Sequence, residues 1–210
     1  METKEITQEK LFQSFCAPGI FREYTEAPFE QNGYVYATNG HIIIRTPKDL
    51  YCSQAATLEK PISSFVFDGA NKSIAIDFNV SEIEALKTEP EYRVLKKSQE
   101  CGTCEGFGEV TWEFEHHERE DDCPVCYGSG IAEAEHKELT GNTTFGTAYV
   151  TIYDTPLDVK LFYKLVQLNE PIALIKYTSK TQAIVFKAGQ YDVGIMPVSS
   201  TGDYPVIKIL

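Results

Sequence analysis

One short pattern occurs twice and constrains this chain more than any other feature. Residues 101 to 108 read Cys-Gly-Thr-Cys-Glu-Gly-Phe-Gly and residues 123 to 130 read Cys-Pro-Val-Cys-Tyr-Gly-Ser-Gly, so both follow C-x-x-C-x-G-x-G. Two residues between thiols let one tight turn aim both sulfurs at a single tetrahedral ion, and the glycines permit that turn. The segment between Cys104 and Cys123 is long enough for a hairpin, with Glu109 to Glu115 as one leg, that brings the second pair opposite the first. The expectation is one zinc ion held by Cys101, Cys104, Cys123 and Cys126. With all four positions filled by cysteine, such a site holds structure and leaves no place for a reacting water. The other readings of the paired C-x-x-C are a redox dithiol or chance spacing. His116 and His117, in the acidic stretch Glu113 to Asp122, read as a solvated hairpin tip and not as ligands.

The rest of the chain is ordinary globular sequence. Its 210 residues can form one large domain or two small ones, and 42% hydrophobic against 24% charged residues excludes a disordered chain. Six cysteines, four of them in two tight pairs, point to metal and away from a secreted disulfide scaffold. The formal charge of −12 argues against nonspecific polyanion binding over the whole surface and leaves room for a local basic face. No apolar run reaches the roughly 20 residues of a membrane span, and Met-Glu-Thr-Lys-Glu is no secretory start, so a cytoplasmic protein without membrane partners is expected.

The segments flanking the cysteines share an order of elements. In the first, a strand over Glu2 to Thr7 precedes a helix over Gln8 to Cys16, broken at Pro18-Gly19. Strands follow at Tyr34 to Thr38 and His41 to Thr46, with turns at Gln31-Asn32-Gly33 and Asn39-Gly40. In the second, a strand over Tyr149 to Tyr153 precedes a helix over Pro156 to Leu168, then strands at Ile172 to Tyr177, Gln182 to Lys187 and Tyr191 to Pro197. Two β-α-β-β-β units in an α+β fold with antiparallel sheets are the simplest account. Between them, Ile62 to Phe67 and Ser73 to Phe78 read as strands, and Ser81 with Glu84 reads as the capping box of a helix to Lys87. Val206 to Leu210 reads as a last strand. The domains expected are 1–98, a zinc hairpin insertion at 99–132, and 145–210.

Two resemblances attach to these residues. The doubled cysteine pattern resembles the zinc region of DnaJ-type co-chaperones, although this chain has two repeats and no His-Pro-Asp triplet of a J domain. Tyr36-Ala37-Thr38-Asn39-Gly40-His41-Ile42 resembles the A-T-D-G-H-R segment of bacterial sliding clamps, the DNA polymerase III beta subunits, with Asn39 for the usual Asp and Ile42 for the usual Arg. Tyr191 to Val198 resembles the terminal I-M-P-M strand of the same family. The clamp resemblance implies two β-α-β-β-β halves with helices turned inward to double-stranded DNA, no enzymatic activity, and a ring that needs several copies of a chain this short. Thr38, Asn39, Gly40 and His41 form its motif.

On the second helix Lys160 and Lys164 lie four apart beside the leucine stripe, and Lys10 occupies the corresponding place on the first. They read either as solvated lysines or as a face that meets phosphates. No phosphate-binding loop, nucleophile elbow or H-E-x-x-H occurs, and His41, Cys16 and Cys52 read as turn or core residues, so no catalytic residue is assigned. The function expected is a non-enzymatic, DNA-associated clamp-like protein whose zinc hairpin docks a protein partner. The alternative is a DnaJ-like peptide-binding or assembly module on a clamp-like scaffold that binds no DNA.

Overall fold

Alternating apolar residues on six strands, and two short helices to cover them, account for most of the architecture of this computed structural model, which describes residues 7–17, 19, 22–58, 65–70, 72–199 and 202–210. The chain is mostly β with few helices. By contact it separates into two compact units, residues 1–87 with 145–210, and residues 88–144.

The first half opens with α1 (Gln8–Gln13), whose N-cap Thr7 accepts from the Lys10 amide. The strand expected at Glu2 to Thr7 lies outside the described residues except for Thr7. A single turn, α2 (Glu23–Glu26), leads into the meander β1 (Phe29–Gln31), β2 (Tyr34–Thr38) and β3 (Ile42–Pro47). Asn32 and Gly33 join β1 to β2 as a two-residue turn with φ of 52° and 77°. At Asn39-Gly40 only Gly40 has positive φ. That loop is closed instead by the Asn39 side chain, whose Oδ1 accepts from the amides of His41 and Ile42 at 2.9 and 3.0 Å.

The next stretch supplies both edges of the sheet: β4 (Ala56–Thr57) pairs parallel with β1, and β5 (Ile74–Ala75) borders the other end. The strand expected at Ile62 to Phe67 is a short 3-10 segment at Phe65–Phe67, with 62–64 outside the described residues. The helix α3 (Val80–Glu84) is capped by Asn79, whose Oδ1 accepts from the Ser81 amide at 3.0 Å, two residues before the cap expected at Ser81.

Residues 88–144 contain β6 (Glu89–Lys96), β7 (Gln99–Glu100), β8 (Glu109–Phe114), β9 (His117–Asp122), β10 (Ile131–Glu133) and β11 (His136–Thr144). They pair as three antiparallel couples, β6 with β11, β7 with β10 and β8 with β9. By contact, residues 88–98 and 133–144 thus group with the cysteine segment 99–132.

The second half begins with β12 (Tyr149–Ile152) and β13 (Thr155–Asp158), then α4 (Val159–Val166), β14 (Ile172–Lys176), β15 (Ile184–Ala188), β16 (Tyr191–Ile195) and β17 (Val206–Lys208). The helix therefore starts three residues later than Pro156. Tyr153 and Asp154, with φ of 48° and 60°, turn the chain back as a hairpin. Pro156 sits in the edge strand β13, where its missing N–H costs no ladder bond, and Asp158 caps α4 by accepting from the Lys160 amide at 2.7 Å. This half is β-β-α-β-β-β-β, one strand, β13, more than expected.

The two meanders meet last strand to last strand. The sheet order β4-β1-β2-β3-β16-β15-β14-β5 runs outward in mirrored order from the β3/β16 seam. On one face, Ile42, Ile44, Val193, Ile195, Ile184 and Phe186 pack against Phe12 and Phe15 of the first helical segment and Phe162 and Leu165 of α4. Val150 and Leu157 of the three-stranded sheet β13-β12-β17 join the same core. Each fully buried side chain of this kind contributes about 1.5–3 kcal/mol. The other face carries a small cluster of Phe29, Tyr36, Phe67 and Val185. There Arg45 stitches the seam: its Nε donates to Asp192 Oδ2 at 2.9 Å, directly across the register, while its guanidinium lies 4.3 and 4.1 Å from the rings of Tyr34 and Phe67.

Lys87 and Phe145, the last and first residues of this unit on either side of 88–144, are held together on α4. Lys87 Nζ lies 5.3 Å from the Phe145 ring and donates to Tyr163 Oη at 2.9 Å, and Tyr163 donates to Glu84 Oε1 at 2.6 Å. Among the described residues no helix is long and apolar enough to cross a membrane.

Candidate functional site

The eight-residue repeat builds its site by reciprocal bonds. The Cys101 amide donates to the Gly130 carbonyl at 2.8 Å, and the Cys123 amide donates to the Gly108 carbonyl at 2.7 Å, so each turn is closed by the last glycine of the other. Gly106, Gly108, Gly128 and Gly130 have φ of 86°, 84°, 81° and 71°. A Cβ on Gly108 would lie 2.4 Å from the Gly128 oxygen, and one on Gly130 would lie 2.3 Å from the Gly106 oxygen. The second glycine of each repeat is therefore required twice, for its dihedral and for the close approach of the two backbones.

This exchange brings the four sulfurs together. Cys101 and Cys123 Sγ are 3.8 Å apart, Cys104 and Cys126 Sγ are 3.6 Å apart, and all four lie within 4.8 Å of one another, buried. None is disulfide-bonded. A tetrahedral ion with metal–sulfur bonds of about 2.3 Å needs sulfurs about 3.8 Å apart, so the donor set and its spacing are compatible with zinc. Amide groups also point at the sulfurs. Those of Thr103 and Cys104 hold the Cys101 thiol down to about 6, and the Gly108 amide donates to Cys104 Sγ at 3.3 Å. Burial pushes the Cys104 thiol the other way, to about 11. Val110 packs on the sulfur cluster, and His116 and His117 lie at the exposed end of the β8/β9 hairpin.

The lysines expected on a DNA side behave differently from one another. Lys10 and Lys160 are exposed. Lys164 is half-buried: its Nζ donates to the Ser14 carbonyl at the end of α1 and lies 5.4 Å from the Phe15 ring, and burial pushes its ammonium below the usual lysine value. It braces α1 against α4.

Thr38, Asn39, Gly40 and His41 form a self-bonded corner. Thr38 Oγ1 donates to the Ile42 carbonyl at 2.7 Å and accepts from the Gly40 amide at 3.0 Å. The His41 carbonyl accepts from the Met196 amide at 2.8 Å, so the corner is joined to the end of β16. Beside this junction opens a cleft of about 450 Å³, bordered by Thr38, His41, Ile43, Val66, Gly194 and Met196. A Cβ on Gly194 would meet Val66 Cγ1 at 2.8 Å, so the glycine lets the Phe65–Phe67 segment form the cleft wall. Tyr24 and Arg22, bonded through Arg22 Nη1 and Tyr24 Oη at 3.1 Å, complete the rim. Sequence reasoning missed this cleft. Its walls lie far apart in the chain and converge only through the β3/β16 pairing.

No protein-family model matches the chain, and no curated protein matches it. Among solved structures it is similar to two of the DNA polymerase sliding clamp from Pseudomonas aeruginosa, one of them with ligand. Each is 11% identical over 93% of this chain, with TM-scores of 0.44 and 0.45. The chain spans 65% and 66% of the length of those chains, just under two thirds.

Proposed function

We propose that the chain is a non-enzymatic, DNA-associated clamp-like protein that carries an arm ordered by one structural zinc. The observation that carries this reading is the placement of one helix from each half, α1 and α4, on a single face of a sheet whose two meanders mirror each other across the β3/β16 seam. That is the arrangement implied by the clamp-like segments at Tyr36 to Ile42 and Tyr191 to Val198, which are bonded to each other at His41 and Met196. Lys10 and Lys160 are the side chains offered to phosphates, and Lys164 sets the helices that bear them. Two cations per chain neutralise little by themselves, so association requires several copies around one duplex. The cleft at the Thr38–His41 corner has the size and apolar walls to take a side chain from a protein partner.

Binding to a short fluorescent duplex over a salt series tests this reading. Affinity should fall steeply with salt and weaken in a Lys10→Ala/Lys160→Ala variant that keeps its zinc content. Absence of binding at low salt overturns the DNA role. One observation favours the alternative of a peptide-binding module on a scaffold without DNA binding: Phe107 and Tyr127, on the cysteine turns, are 83% and 87% exposed. Under that reading the duplex does not bind and unfolded polypeptide does.

A further inference from the structure

The β8/β9 hairpin has two unlike faces and two open edges. Side chains alternate across a strand, and the register pairs Val110 with Asp121, Trp112 with Arg119 and Phe114 with His117 on one face. The other face pairs Glu109 with Asp122, Thr111 with Glu120 and Glu113 with Glu118. On the first face Trp112 and Phe114 are 55% and 74% exposed, and Arg119 is tied to Asp121 at 2.8 Å. Beside Trp112 a notch of about 150 Å³, with Thr103, Val110 and Pro124 in its walls, sits over the cysteine turns. On the second face, like charges oppose each other at Glu113 and Glu118, and none of its five carboxylates forms an ion pair among the described residues. Among the described residues neither β8 nor β9 has a second strand neighbour. The edge is therefore apolar on one side and negative on the other, with unpaired amides and carbonyls between.

We propose that β8 accepts an extended segment of a protein partner as a third strand, in which apolar residues alternate with Lys or Arg. Period-two alternation is the pattern that serves both faces at once: apolar side chains meet Val110, Trp112 and Phe114, and cations meet Glu109 and Glu113. Charge selects the occupant. Residues 109–122 hold seven acidic residues against Arg119, which repels both nucleic acid and a second copy of the same hairpin. This inference rests on the arm being a metal-ordered docking element, since the cysteine turns fix the base of the hairpin and the notch.

Trp112 is the only tryptophan in the chain, so its emission reports this face alone. The experiment uses the zinc-loaded full chain and a ten-residue synthetic peptide alternating Lys with Val. The expected result is a saturable blue shift, with affinity about tenfold lower for a peptide of the same composition with its lysines and valines in separate blocks. A Glu113→Lys/Glu120→Lys variant should also lose about tenfold. Methylating one alternate set of peptide amides should abolish the shift while methylating the other set spares it, since only one set faces β8. Equal binding of the blocked peptide, unchanged binding by the charge-reversed variant, or indifference to both methylated sets overturns the inference. Zinc content and duplex affinity are measured on the same samples. A chain with one zinc that ignores the peptide overturns this inference alone, whereas a chain without zinc overturns the metal reading and this inference together.

Discussion

In residues 1–87 with 145–210, the largest fully buried side chains are aromatic and aliphatic, among them Tyr36, Phe12, Phe162 and Phe186. In residues 88–144 the only buried residues are Cys101, Cys104, Cys123, Cys126, Gly108 and Gly130. One region spreads its stability over many apolar contacts. The other gathers it at four sulfurs and the two glycines that let them meet. The difference teaches where each region can fail: the first loses stability by increments, and the second by a single event.

Removing the proposed zinc is the largest way to break that comparison. Chelation, or Cys101→Ser or Cys123→Ser, should unfold the arm, because structural zinc supplies about 10–16 kcal/mol in small metal-folded units. Amide exchange should then rise across 88–144 while the eight-stranded sheet stays protected, and metal analysis should fall from one zinc per chain. Persistent zinc in both cysteine variants would refute the four-cysteine site. The reciprocal experiment is Phe162→Ala, which empties a core position beside Phe186 and Phe78. It should cost about 3–5 kcal/mol in denaturant unfolding of the sheet unit and leave zinc content unchanged.

Two smaller changes sharpen the contrast. Gly108→Ala puts a Cβ 2.4 Å from a backbone oxygen at positive φ, and should weaken zinc retention in a chelator competition by about 1–3 kcal/mol without altering the unfolding of the sheet. The smallest effect concerns acid. The Tyr163 hydroxyl, and then Lys87, hold the Glu84 carboxyl below its ordinary value of 4.5. A carboxylate held low contributes stability that is present above its unfolded value and lost as pH falls through its folded value. Tyr163→Phe should therefore flatten the acid limb of the stability profile below pH 4.5 and leave the profile around neutrality parallel to that of the parent chain. An unchanged acid limb would remove Tyr163 from the brace.

What could be read from sequence was whatever is local. The sulfur cluster follows from spacing within 101–130, and the strands around Asn32-Gly33, Asn39-Gly40 and Gly189 follow from turn chemistry and alternation. Misread elements share a cause, a side chain or strand that acts across the boundary the pattern suggests. Asp158 and the Tyr153-Asp154 turn pull three residues out of the expected helix into β13, and Asn79 caps a helix assigned to Ser81. Lys164 matched the exposed periodicity of Lys160, yet its partner is Ser14, 150 residues away. The cleft depends on the β3/β16 pairing, and no local pattern encodes that register.

The β3/β16 seam also sets an order in time. Arg45 and Asp192 are 147 residues apart, so the seam can close only after β16 has been synthesised. The arm is finished earlier and all its pairings are internal to 88–144. Once β6 and β11 have zipped, the segment between them no longer counts toward the loop that the seam must close, a saving of about 0.4 kcal/mol in closure entropy and about a twofold gain in rate. Residues 88–144 thereby act as a splint on the nascent chain, shortening the loop between the two halves of the sheet before either has a complete partner.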